Sequence, residues 1–347
     1  MKKQNIDSIG LGFDVIIVGA GVAGCTLANH LSPDLKILLI DQKNFPRHKA
    51  CSGILVNESI DFLKDESLDK FLVTKTPIDI EYIDLDNNKS NITKKKFLNS
   101  NRFLLDKYLY EKISQKENVY FLDDTRLIEC KNTKDNKHLV VLIESNGIIK
   151  PIITTYLAGC DGASSTVRKN IFKKDIRFYI GMQELLKTSK QFDHAYFIFD
   201  SQITDFYSWI IPKPPYTEIG TLLDPSNTKE KYAQFKQKLE KTFGIIENGK
   251  IDSSIVLRPE SVKDICLGTK NIFLCGEAAG LISPSSAEGI SYALKSSYFC
   301  AKAINSQKEN IFEEYSTNCK DLITRLQKKF DKSKNISDKN KRKGLFN

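Results

Sequence analysis

Gly19, Gly21 and Gly24 stand in the order G-x-G-x-x-G, with Ala20 and Val22 in the same loop and Asp41 following downstream. A turn with this spacing can wrap a pyrophosphate. The first glycine turns the chain, the second admits the phosphate to the backbone, and the third lets the next helix pack against the strand. An acidic residue about 20 positions on is placed to accept a hydrogen bond from a ribose hydroxyl. Arg47 and Lys49 come shortly after Asp41, where phosphate or ribose contact and plain solvation are both open. Cys51-Ser52-Gly53 sets a thiol beside small residues, an arrangement that suits close approach to a ligand and equally a packed, inert thiol. Further on, Asp161-Gly162 puts a carboxylate next to a flexible backbone. Gly289 opens a helix whose free amides would face an anion.

These residues need a particular scaffold. Val15 to Val18 is a short apolar β-branched run, as expected of a strand buried on both faces. Residues 25–31 form a plausible first helix, its N-terminus toward the phosphates. Residues 37–40 are a second buried strand, which Asp41 closes. Pro46 marks a loop, and 54–63 reads as a short helix. Residues 71–98 suggest two strands around a turn at 86–88. Residues 102–113 read as a helix, on which Arg102 and Asp106 are spaced to pair. Strands are expected at 118–122 and 126–130, then a hairpin of 139–143 and 148–155 around Ser145-Asn146-Gly147. Residues 175–265 are rich in alternating aromatic and aliphatic residues, with one amphipathic helix at 229–243. They carry Trp209, the single tryptophan of the chain. The chain then returns to a buried strand at 272–275, Gly276-Glu277, and a long helix of small residues.

The 347 residues accommodate two modest domains or one domain with a large insertion, and the hydrophobic content of 41% suffices for a sizeable core. The net charge is +9, and much of the excess lies in 328–343. That run reads as a solvated tail, with attraction to anionic lipid as the functional alternative. No nucleic-acid module accompanies it. The eight cysteines are scattered with no C-x-x-C pair, which suggests neither a zinc knuckle nor a redox pair; no metal site is expected, and a reducing cytoplasm suits them best. Residues 1–12 lack an apolar signal core, and the apolar runs are too short to span a bilayer. A soluble or at most peripheral protein is expected.

Three separated segments, GAGVAG with Asp41, CDGASSTVR at 160–168 and FLCGEAAGLISPSSAEGISYAL at 273–294, resemble the FAD-binding signatures of group A flavoprotein oxidoreductases. The loop holding Arg47, Lys49 and Cys51-Ser52-Gly53, and the run Tyr207-Ser208-Trp209-Ile210-Ile211-Pro212 followed by Gly220, are more similar to the geranylgeranyl reductase branch. The resemblance implies an α/β fold: a Rossmann-like FAD-binding domain with an inserted, mostly antiparallel β-sheet substrate domain and a C-terminal helical tail. The FAD part would comprise 1–70, 99–174 and 266–305, the substrate part 71–98 and 175–265. Residues 306–330 would form a C-terminal helix and 331–347 a basic, disordered tail.

It also implies roles. Gly19, Ala20, Gly21, Val22 and Gly24 would hold the pyrophosphate, Asp41 the ribose, and Arg47 and Arg102 further parts of FAD. Asp161, Gly276 and Glu277 would bear on the flavin and its ribityl chain; the family usually has Asp at the position of Glu277. Gly289 and Ile290 would offer amides to the flavin N1–C2=O edge. Cys51, Tyr207, Trp209 and Pro212 would line the substrate cavity, with Cys51 and Tyr207 the candidate catalytic side chains. The implied activity is FAD-dependent reduction of C=C bonds in an isoprenoid or other apolar substrate, by hydride transfer from flavin N5. A nicotinamide or another reductant would bind transiently. Oxygenation or halogenation of an aromatic or apolar molecule is the alternative on the same scaffold; W-x-W-x-I-P is a halogenase mark, and Tyr207 replaces its first Trp. A non-catalytic prenyl- or lipid-binding protein is the alternative of another class.

Overall fold

Two eight-stranded sheets carry the chain, in a computed structural model that describes residues 5–188 and 190–345. The ends of the polar N-terminal stretch and of the basic tail, residues 1–4 and 346–347, lie outside the described residues. The first sheet runs Gly268–Thr269, Ile272–Leu274, Ile148–Gly159, Gly12–Val18, Ile37–Ile40 and Val119–Leu122. Its inner strands are parallel. Thr125–Asn132 and Leu139–Ser145 extend it as an antiparallel flap. Val15, Ile16, Ile17 and all four residues of Ile37–Ile40 are fully buried, because helices Val22–His30, Arg102–Ser114 and Ile290–Asn305 and the flap residues Leu127, Leu139, Val141 and Ile143 join them in one core. Gly24 permits this closeness. A Cβ at that position would overlap the carbonyl oxygen of Gly19.

The second sheet runs Ile251–Leu257, Phe178–Leu186, Tyr216–Leu223, Ser208–Lys213, Ala195–Phe199, Ile78–Asp84, Lys89–Asn99 and Ile54–Leu55. All its pairings are antiparallel except that of Ala195–Phe199 with Ile78–Asp84. The two-residue side-chain period divides its residues. Tyr207, Trp209 and Ile211 join one apolar cluster, while Ile210 joins the other beneath helix Thr228–Phe243, with Tyr232, Phe235 and Leu239. The expected helix over 54–63 is shorter, Asn57–Leu63, because Ile54 and Leu55 are captured as an edge strand by Asn99 and Leu98.

The C-terminal segment departs most from expectation. In place of a disordered tail beyond 330, helix Lys320–Ser337 continues without a break and Lys339–Arg342 follows. Leu322, Leu326 and Phe330 enter the core of the first sheet and Ile336 enters that of the second. Each buried side chain contributes roughly 2 kcal/mol, whereas like charges on an exposed helix face cost a few tenths per pair; the apolar spacing therefore prevails. Arg258 of the second sheet donates to Ser333 Oγ at 3.3 Å and Ser337 Oγ at 2.6 Å. Arg342 is completely buried, pairing with Asp84 at 3.2 Å and with Asp86. No helix among the described residues is long and apolar enough to cross a membrane. Arg342→Ala leaves Asp84 buried without its cation and is expected to lower stability by about 3 kcal/mol. Urea unfolding measures this; an unchanged midpoint would contradict the docked tail.

Candidate functional site

The glycine turn, the Cys51 loop, the Asp161 turn, the start of helix Ile290–Asn305 and one face of the second sheet enclose a single cavity of about 1050 Å³. That is the upper range for ligand pockets. Among the sequence-predicted positions, Gly19, Gly21, Val22, Asp41, Arg47, Cys51, Arg102, Asp161, Tyr207, Trp209, Glu277, Gly289 and Ile290 line it. Ala20, Gly24, Gly276 and Pro212 do not. Ala20 instead donates its amide to Asp41 Oδ2 at 2.8 Å, and Gly276 donates to Ser296 Oγ at 2.9 Å. Pro212 is out of phase with Trp209 on the strand. Its carbonyl accepts from Asn99 Nδ2 at 2.6 Å, so it anchors Asn99 and does not face the substrate space.

At the glycine end, alternating charges run away from Asp41. Arg47 Nε lies 3.2 Å from Asp41 Oδ2 and Arg47 Nη1 lies 3.5 Å from Asp106 Oδ2. Arg102 Nε lies 2.7 Å from Asp106 Oδ1, and Cys51 is near enough to act on the guanidinium's charge. Burial works against the charge of Arg102, but Asp106 and Cys51 more than offset it, so its pKa is raised. Arg102 therefore makes the pairing with Asp106 read from the sequence and borders the cavity as well. Arg47 is not a solvated surface cation. Its guanidinium lies directly over Gly21, where an added Cβ would come within 2.8 Å of Nη2.

In the middle, Asp161 Oδ2 accepts the amides of Thr166 at 2.6 Å and Val167 at 3.3 Å. Its Oδ1 is buried without a partner among the described residues. Burial pushes the Asp161 carboxyl up, against the pull of Ser165 and these amides. Glu277 Oε1 accepts the Leu257 amide at 2.9 Å and Oε2 meets Lys49 Nζ at 3.4 Å. Arg168, the last residue of the CDGASSTVR segment and given no role by the sequence, locks this region. Its side chain donates to the carbonyls of Ala163 at 2.6 Å, Ala278 at 2.9 Å and Lys174 at 3.2 Å. It thus fastens the Asp161 turn to the Glu277 turn.

At the far end, Tyr207 stacks on Phe197 with centroids 4.9 Å apart. Its hydroxyl donates to the Ser286 carbonyl at 2.7 Å, and burial pushes its pKa far up. The hydroxyl is committed to holding the loop before Gly289. The indole of Trp209 lies against Gly220, where any Cβ would run into the ring, and Trp209 Nε1 donates to Glu218 Oε1 at 3.0 Å. The basic C-terminal helix also reaches the cavity: Arg325, Lys328, Lys329 and Lys332 lie on its rim.

The donor set fits FAD: a glycine turn under a guanidinium for the pyrophosphate, a buried carboxylate oxygen with spare capacity at Asp161, and helix amides at Gly289 and Ile290. Gly21→Asp would place a carboxylate under Arg47, in the space for the phosphates. FAD affinity is expected to fall at least tenfold, about 1.4 kcal/mol or more, in a fluorescence titration; unchanged affinity would remove the pyrophosphate from this turn.

Residues 12–188 match the family model described as FAD binding domain. Protein CbrA of Escherichia coli O6:H1 is 30% identical over 333 residues, covering 93% of this chain and 89% of CbrA. Among solved structures, a geranylgeranyl bacteriochlorophyll reductase-like protein from Thermoplasma acidophilum superposes with a TM-score of 0.84 at 16% identity, over 96% of this chain and 90% of that one. PqsL, a probable FAD-dependent monooxygenase from Pseudomonas aeruginosa, does so with a TM-score of 0.73 at 15% identity, over 96% and 99%. With the site's geometry and the family model in agreement, the chain belongs to the FAD-binding domain family and shares the fold of these two solved proteins.

Proposed function

We propose that the protein is an FAD-dependent reductase of C=C bonds in a prenyl or similar apolar chain. One observation carries the reading: the cavity that begins at the glycine turn ends on an aromatic wall of Tyr82, Phe97, Phe197, Tyr207 and Trp209. Such a wall offers an apolar chain burial at about 25 cal/mol per Å². When bound and reduced, FAD supplies a hydride; a nicotinamide or another small reductant would furnish the electrons.

The chain's own residues have separate tasks. The amides of Gly21 and Val22, with Arg47, neutralise the pyrophosphate, and Asp41 stands at the ribose. Asp161 Oδ1 and Glu277 border the ribityl segment. The first amides of helix Ile290–Asn305 favour negative charge at the flavin edge beside them. Cys51, half-buried near Arg102, or water would supply the proton in this reading, because the Tyr207 hydroxyl is engaged elsewhere. The cations at the rim, Arg325, Lys328, Lys329 and Lys332, suit a substrate taken from an anionic lipid surface.

The test is anaerobic incubation of the FAD-loaded, dithionite-reduced protein with geranylgeraniol, followed by mass spectrometry. A product heavier by two hydrogens, with reoxidised flavin, is expected. An oxygenated product formed only in air would replace this reading with the monooxygenase one, and a protein that cannot be loaded with FAD would favour the lipid-binding one. Trp209→Ala is expected to weaken geranylgeraniol binding about tenfold or more while FAD stays bound, since burial of one aromatic side chain is worth roughly 2 kcal/mol. Loss of FAD in that variant would move Trp209 out of the substrate wall.

A further inference from the structure

A buried carboxylate behind the aromatic wall has no part in the reading above. Glu218 is 2% exposed and stands on Tyr216–Leu223, the strand next to that of Trp209. The register sets Trp209 opposite Gly220 and Ile211 opposite Glu218, so Glu218 is the diagonal neighbour of Trp209 on the same face. Tyr207 packs edge-on against the indole at 6.4 Å between centroids, and two further contacts fix it. Its face rests where Gly220 has no side chain, and its Nε1 edge is held by Glu218 Oε1 at 3.0 Å.

We propose that Glu218 is the positioning residue of the substrate wall: by holding Trp209 Nε1 it sets the ring's angle to the cavity and thereby the affinity for an apolar chain. This rests on the reading that the wall takes such a chain. A hydrogen bond to a charged acceptor is worth about 1 kcal/mol more than one to a neutral acceptor, so the grip loosens when Glu218 gains a proton. Burial pushes its pKa up to about 7, with Lys213 and the indole pulling down. The charged groups that face it come from three other elements. Lys213 stands on the Trp209 strand, Asp252 on Ile251–Leu257, and His48 lies in the loop before Cys51. Lys213 is itself tied to Asn99 Oδ1 at 2.7 Å and the Ser100 carbonyl at 3.1 Å, and His48 is paired with Asp252. None of these replaces the bond to the indole.

Trp209 is the only tryptophan, so intrinsic emission of the protein freed of FAD reports on this bond without interference from the flavin. The experiment records that emission, and geranylgeraniol binding to the FAD-loaded protein by flavin absorbance, from pH 5.5 to 8.5. In the wild type an emission shift is expected with a midpoint near 7, and binding about fivefold weaker at the acid end. Glu218→Gln keeps the acceptor oxygen but not the charge; it should lose both pH dependences and bind like the acid form throughout. His48→Gln should keep them. Emission that does not titrate in the wild type, titrates unchanged in Glu218→Gln, or loses its shift in His48→Gln would overturn the proposal. Emission behaving as expected with no geranylgeraniol bound at any pH would uphold the Glu218–Trp209 coupling, overturn its role in affinity, and locate the error in the reading of the substrate.

Discussion

The run of opposite charges from Asp41 through Arg47 and Asp106 to Arg102 is the constraint on which the cavity depends. Asp41 and Asp106 are 4% and 2% exposed, and a buried carboxylate stripped of its cation costs about 3–5 kcal/mol. The chain satisfies both by folding the loop after Asp41 back across the glycine turn. That fold puts Arg47 above Gly21 and leaves Cys51 near Arg102. The same pairs therefore place a cation for phosphate and a thiol on the wall of one cavity. Helix Arg102–Ser114 supplies the fixed end of this run because Asn101 caps it, accepting the Leu104 amide at 3.2 Å.

A second lock closes the opposite side. Arg168 donates to four carbonyls in three separate segments, so Asp161 and Glu277 border one cavity although 116 positions part them in the chain. The C-terminal helix completes the enclosure by inserting side chains into the cores of both sheets. Its outward face carries the basic residues that the rim displays. The relation of sheet to sheet is thus set by buried polar bonds and by one amphipathic helix, and the aromatic wall is held facing the glycine turn.

How much of this was legible in the sequence follows from the range of each interaction. Residues 14–41 were readable because strand, turn, helix and acid are adjacent, and each is specified locally. Helix Thr228–Phe243 and the hairpin around Asn146 and Gly147 were readable for the same reason; both turn residues adopt positive φ. Arg168 closed the CDGASSTVR segment, but its locking role was invisible, since its partners are backbone carbonyls brought up by folding. The helix expected to end at 330 runs on to Ser337 because Ile336 continues the apolar face of Leu322, Leu326 and Phe330, a continuation that the surrounding lysines hide. Pro212 was assigned to the wall by motif, although strand alternation puts it out of step with Tyr207 and Trp209. Trp209 and Gly220, in contrast, lie opposite one another in the sheet. Their co-occurrence has a steric cause, since the indole fills the space that a side chain at 220 would need.

The central claim is that FAD and the aromatic wall share one cavity. The emission of Trp209 during titration of FAD-free protein with FAD tests it most directly. Quenching that tracks binding and saturates at one FAD per chain is the predicted result, because the isoalloxazine ring would lie beside the only tryptophan. Stoichiometric FAD binding with tryptophan emission undiminished would contradict the account.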